Sequence, residues 1–161
     1  MKKENISAKN VIGKIFMPSQ IDERRTFTAS VQETENDPKF RKFIEKNGYT
    51  NDRAGLLVFG EGTFMFVYGV LTDANVAAPT GLSRYQLPAA EVAQVETDGM
   101  GIIYFSQPVN ITVPTFLDQL TKANVTIYEN MGDSETPYIL SDLNLSTKKL
   151  TQTYYIRASQ D

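Results

Sequence analysis

FMFVYGVL, Phe64–Leu71, carries no charged side chain. Read as a strand, it places Phe64, Phe66, Tyr68 and Val70 on one face and Met65, Val67 and Leu71 on the other, because strand side chains alternate. Both faces are apolar, so both must be covered. In a sheet with helices on one side, the second covered face requires another sheet, a partner subunit or a ligand cleft. A buried core strand, a cleft wall and a subunit interface all satisfy that requirement.

The flanking residues make this strand part of a hairpin. AGLLVFG, Ala54–Gly60, and TFMFVYGVLTD, Thr63–Asp73, are separated only by Glu61-Gly62, a Gly-containing turn. Upstream, AKNVIGKIFM, Ala8–Met17, is strand-like and Pro18 marks its end. From Ile21 to Lys46 the pattern is helical: Phe27 and Val31 lie four apart, and Phe40, Phe43 and Ile44 repeat at three and four. Asp37-Pro38 interrupts it as a capping residue with proline at the first helical position, giving two helices or one kinked helix. Asn47-Gly48 supplies the stop.

Downstream, NVAAPTGLS, Asn75–Ser83, reads as a loop of small and turn-forming residues. A strand follows from about Ala90 to Thr97, then a turn at Asp98-Gly99 and a strand through Ile102, Ile103, Tyr104 and Phe105, or one long bent strand spans both. Pro114 opens a helix with Phe116, Leu117 and Leu120 on one face, ending near Asn124. Thr136–Leu143 and Leu150–Ala158 form a last hairpin with NLSTKK at its tip. Strand, helix, strand, strand thus occurs twice, in halves of about 8–73 and 86–158. The expected fold is α+β, a curved antiparallel sheet of these two units with helices on one face and the whole chain as one domain.

Composition narrows the chemistry. The 161 residues are 41% hydrophobic and 22% charged, the profile of a globular domain with its own core. Sixteen Lys plus Arg against 19 Asp plus Glu give a net charge of −3, and no basic run exceeds a pair, which argues against phosphate-driven nucleic acid binding. No apolar run approaches the ~20 residues that span a bilayer, so no membrane role and a cytoplasmic location are expected. The absence of both His and Cys removes Ser-His-Asp and Cys-His nucleophile systems, Cys or His zinc sites and His- or Cys-ligated haem.

The remaining motifs read as structure. GEG, Gly60–Gly62, and GMG, Gly99–Gly101, lack the continuation of a phosphate-binding loop and are turns. Ser146 and Lys148-Lys149 sit at a hairpin tip, a solvated loop, whereas catalysis by such a pair needs a desolvated lysine. Asp133, Glu135 and Asp142 lack calcium-loop spacing. No catalytic residue, no metal and no cofactor is expected.

The opening VIGKIFM, the helix stop KNGY, the hairpin ending FMFVYGVLTD, the mid-chain LPAAEVAQVETDGM and the closing hairpin ending YYIRA together resemble the gyrase-inhibitor-like superfamily. This is the fold of effector-binding domains in multidrug-sensing transcription regulators, and the likeness covers nearly the whole chain. Within it the chain is most similar to a family of small proteins from Gram-positive bacteria, some encoded beside polymorphic toxins with LXG domains. The resemblance implies a ligand cleft between two strand-helix-strand-strand units. In many members an acid immediately before an aromatic in the penultimate strand holds cationic ligands. Here Tyr138 matches the aromatic, but Pro137 stands where the acid would be, and Glu135 is too early.

The expected cleft residues are Phe66, Tyr68, Tyr104, Tyr138 and one of the oppositely directed Tyr154 and Tyr155, of which Tyr155 is taken, together with Glu91, which lies opposite Glu96 in parity along its strand. Phenols offer an apolar ring with a polar tip and suit either a pocket or a strand surface. The leading expectation is a non-enzymatic binding domain for an apolar small molecule or a partner segment. The alternative is an accessory or chaperone-like protein-interaction factor for a toxin or secretion system, and a third reading is a hydrolase using Glu91 or Glu96. An uncovered sheet face would favour a homodimer.

Overall fold

The computed structural model describes residues 1–159. Eight strands form a single antiparallel sheet: β1 (Lys2–Ile6), β2 (Lys9–Phe16), β3 (Asp52–Gly60), β4 (Thr63–Asp73), β5 (Ser83–Leu87), β6 (Ala90–Thr97), β7 (Tyr138–Asn144) and β8 (Lys149–Ala158). Three α-helices connect them: α1 (Thr28–Glu35), α2 (Pro38–Asn47) and α3 (Val109–Lys122). The spatial order is β1-β6-β8-β7-β3-β4-β2-β5. Strands β3 and β7 are central neighbours, and the triples β2, β3, β4 and β6, β7, β8 flank that line in mirrored order. Strands β1 and β5 cross over, each pairing with the far triple.

The second face of FMFVYGVL is covered by the sheet itself. Strand β5 is one edge of the order and β6 lies next to the other, yet only Pro88-Ala89 separates Leu87 from Ala90, so the two ends must approach one another. The sheet therefore curls into a half-barrel. Val11 and Val67 from one side meet Val92 and Tyr155 from the other in one buried cluster inside the curl. The backbones of β2 and β4 approach closely at the paired Gly13 and Gly69: a Cβ on Gly13 would lie 2.0 Å from the Tyr68 carbonyl oxygen, and one on Gly69 1.9 Å from that of Ile12. Only glycine at both positions permits this approach.

All three helices cover the other face. Phe66 and Tyr68 pack there with Phe27, Phe105, Phe116 and Leu120, while Ile12 and Val70 pack under Phe40, Phe43 and Ile44 of α2. The helical stretch is two helices, since the Asp37 carboxylate accepts from the Lys39 amide at 2.8 Å and Pro38 opens α2. Gly48, at φ 79°, ends it in the left-handed conformation.

Four expectations require correction. Ile102–Ser106 is a 3₁₀ turn, not a strand: Ile103 is 72% exposed and only Phe105 is fully buried, so the short apolar run has no strand partner. Helix α3 begins at Val109, and Pro114 lies inside it rather than opening it. Strand β5 occupies residues read partly as loop, and the polar KKENI of β1 was not expected to be a strand. Both are five-residue strands at the sheet edges, too short and too polar to show period-two alternation.

Candidate ligand cleft

A cleft lies on the helical face, where α3 and the Ile102–Ser106 turn span the central pair β3 and β7. Its deep end is a cavity of about 40 Å³ floored by Gly55, Leu57, Ile139 and Ser141 and roofed by Phe105, Val113 and Phe116. Leu57, Val109 and Val113 are shared with a wider outer groove of about 510 Å³ bounded by Ile21, Phe59, Phe64 and Pro114. The two adjoin along the start of α3, sharing those three side chains. Apolar walls with a few convergent polar groups are the usual make-up of a small-molecule site.

Those polar groups stand at the deep end. The Gln152 amide donates to the Tyr104 hydroxyl at 3.0 Å, and the same hydroxyl lies 3.0 Å from Ser141 Oγ. Burial pushes the Tyr104 phenol up, against the hydrogen bonds from Ser141 and Gln152, so it remains a neutral donor and acceptor. The Tyr104 ring meets Phe105 edge to face at 5.3 Å, and Phe105 meets Tyr68 in the same way at 5.3 Å.

Beneath this wall an ion-pair network fixes the helices to the sheet. Arg53, 2% exposed, donates from Nε to Glu35 Oε2 at 2.6 Å and from Nη2 to Glu35 Oε1 at 3.1 Å. The Tyr68 hydroxyl donates to Glu35 Oε2 at 2.8 Å, and Arg41 adds a contact at 3.0 Å. Burial raises the Glu35 carboxyl, but the hydrogen bonds from Arg53 and Tyr68 and the charges of Arg53 and Arg41 outweigh it and hold it below its ordinary value. Burial, then the Glu35 charge, pushes the Tyr68 phenol far up.

The six expected residues separate. Phe66 and Tyr104 line the cleft, and Tyr68 lies directly behind it. Tyr138 and Tyr155 are on the other face, inside the curl, where their rings meet at 5.4 Å and Tyr85 meets Tyr138 at 5.9 Å. The Tyr155 hydroxyl has no hydrogen-bond partner there. Glu91 sits at the surface of β6, paired with Arg157 at 3.2 Å, and Glu96 faces Lys149 at 3.6 Å. Sequence reading missed Ser141, Gln152 and Val113. Alternation from Ile139 and Tyr154 would have put Ser141 and Gln152 on the helical face once the register Ile139↔Tyr154 was known.

The half-barrel has solved counterparts. An integron cassette protein from the mobile metagenome of Vibrio cholerae matches at a TM-score of 0.55 and 11% identity, over 97% of this chain and 95% of that one. The protein SAV2435, solved with tetraphenylphosphonium bound, matches at 0.51 and 11%, over 96% and 91%. EcmrR, a protein solved on DNA, matches at 0.52 and 11% over 98% of this chain and 57% of its own. No family model and no curated protein sequence matches the chain. At these identities the likeness establishes the shared fold. Ligand-bound and regulatory proteins adopt it, and the toxin-accessory role finds no support among them.

Among the described residues no helix is long and apolar enough to cross a membrane, and no cluster of three or more carboxylates could hold a metal ion.

Proposed function

We propose that the protein is a non-enzymatic binding domain of the gyrase-inhibitor-like type, which holds an apolar small molecule in the cleft between α3 and strands β3 and β7. The observation that carries this reading is the adjacency of an apolar outer groove to a buried end that shares Leu57, Val109 and Val113 with it and is lined by the hydroxyl and amide groups of Tyr104, Ser141 and Gln152. Phe66 and Tyr104 are the expected ligand residues that act in it, with Tyr68 bracing the wall. The fold shared with a tetraphenylphosphonium-bound protein is compatible with a ligand role for this domain.

The chemistry of the cleft also favours binding over catalysis. Its lining holds no carboxylate, no lysine and no hydroxyl paired with a base, so nothing in it activates a nucleophile. Glu91 and Glu96, the acids of the hydrolase reading, are engaged with Arg157 and Lys149 at the surface.

Thermal-shift screening of neutral aromatic compounds tests the proposal, with Val113→Trp as the variant that fills the channel. Binders that stabilise the native chain and lose their effect in a folded Val113→Trp variant are expected. Binders unaffected by that substitution would place the site elsewhere.

A further inference from the structure

The charge around the cleft is one-sided. Among the described residues, no Asp or Glu lines either the buried end or the outer groove, whereas Arg25 lies at the mouth. Arg25 is exposed and forms no ion pair within 4 Å among the described residues. Neither of the nearest acids in sequence pairs with it. Asp22 spends its carboxylate on the Arg24 amide at 3.0 Å and on the amide and hydroxyl of Thr26, and Glu23 is exposed and outside the groove.

Arg25 is also held in place. Its backbone adopts φ 63°, and its carbonyl accepts the Val109 amide at 2.9 Å, tying the residue to the first turn of α3. That turn lines the groove through Val109 and Asn110, contains no acidic residue and has no side-chain cap. The positive end of the helix macrodipole and an unpaired guanidinium therefore act on the same opening.

We propose that the cleft selects an apolar body carrying one negative charge, with the body in the channel and Arg25 holding the charge at the mouth. This deepens the ligand reading above and rests on it. The selectivity is opposite in sign to what the tetraphenylphosphonium-bound structure would suggest by analogy. A cation in this channel would meet no carboxylate and would lie beside a guanidinium, with only aromatic faces to offset its desolvation.

Tetraphenylborate and tetraphenylphosphonium are nearly identical in size and shape and opposite in charge, so their comparison isolates the sign. Calorimetric titration of both into the native protein, with the site located by the Val109 and Val113 methyl resonances, is the test. Binding of the borate at least about five-fold tighter is expected, with the ratio collapsing toward one in Arg25→Gln and the affinity for neutral 2-naphthol falling by less than that for the borate. Phosphonium binding at these methyls with equal or higher affinity would overturn the charge selection and leave the ligand cleft standing. A borate preference that persists in Arg25→Gln would overturn the role of Arg25. No saturable shift from borate, phosphonium or 2-naphthol would overturn the cleft reading itself, and the proposal with it.

Discussion

The ring of Phe105 lies over Gly55, so close that a Cβ there would stand 2.9 Å from Phe105 Cδ1. Glycine on the central strand thus lets an aromatic roof descend onto the floor of the cleft and sets its depth. Gly55→Ala should force the ring outward at an overpacking cost of about 1–3 kcal/mol. Urea unfolding checks the cost, and a loss of ligand-induced thermal shift should accompany it.

Beneath the cleft wall the buried Arg53 pairs with the half-buried Glu35, and Tyr68 completes the pair. Arg53→Met leaves the carboxylate with the peripheral Arg41 and the Tyr68 hydroxyl and should cost about 3–5 kcal/mol, whereas Tyr68→Phe removes one hydrogen bond to a charged group at about 1.5–3 kcal/mol. Equal losses from the two variants in chemical denaturation would contradict this ordering.

Because the Glu35 carboxyl is held below its ordinary value of 4.5, its contribution to stability is fully present above that value and is lost as pH falls through the lower folded-state value. Unfolding free energy measured from neutral pH downward should fall through the acid range, and Glu35→Gln should flatten that part of the profile.

Asp142, half-buried on the inner face, carries the opposite sign. Burial, then the charge of Asp52, raises its carboxyl to about 6, against the pull of Lys9. A raised folded value means that the contribution is present below the unfolded value of 3.8 and is lost as pH rises through about 6. Asp142→Asn should therefore stabilise the protein by about 1–2 kcal/mol above pH 7, after discounting for partial exposure, and by nearly nothing at pH 4. Paired denaturation curves at the two pH values read the difference directly.

Tyr104→Phe tests the polar end of the channel. Without the hydroxyl, Gln152 loses the acceptor of its amide bond and Ser141 its neighbour, and the cost to stability should be about 1 kcal/mol. Ligands with a hydrogen-bonding head should weaken more than purely hydrocarbon ones. A uniform change across both kinds, measured by calorimetry, would mean that the head does not reach the buried end.

The doubled strand-helix-strand-strand order, both hairpins and the α2 boundaries were legible because proline, glycine and Asp37 mark them by local chemistry. The curl of the sheet was not, because it depends on β1 and β5 pairing with distant strands, and neither has an apolar pattern that announces a strand. Alternation assigned Phe66 and Tyr68 to one face. It could not reveal that Tyr138 and Tyr155 belong to the other, since that depends on the Ile139↔Tyr154 register between chain segments. Tyr104 came to the cleft through a 3₁₀ turn that a four-residue apolar run does not distinguish from a strand.

The central claim is that an apolar ligand occupies the channel under α3. Methyl NMR titration with neutral 2-naphthol tests it most directly, because the two faces of the sheet carry separate reporters. Saturable shifts are expected at Leu57, Val109, Val113 and Ile139, which line the channel, with Leu56, Val67 and Leu140 of the inner cluster unmoved. Shifts confined to the inner cluster, or none that saturate, would contradict the account.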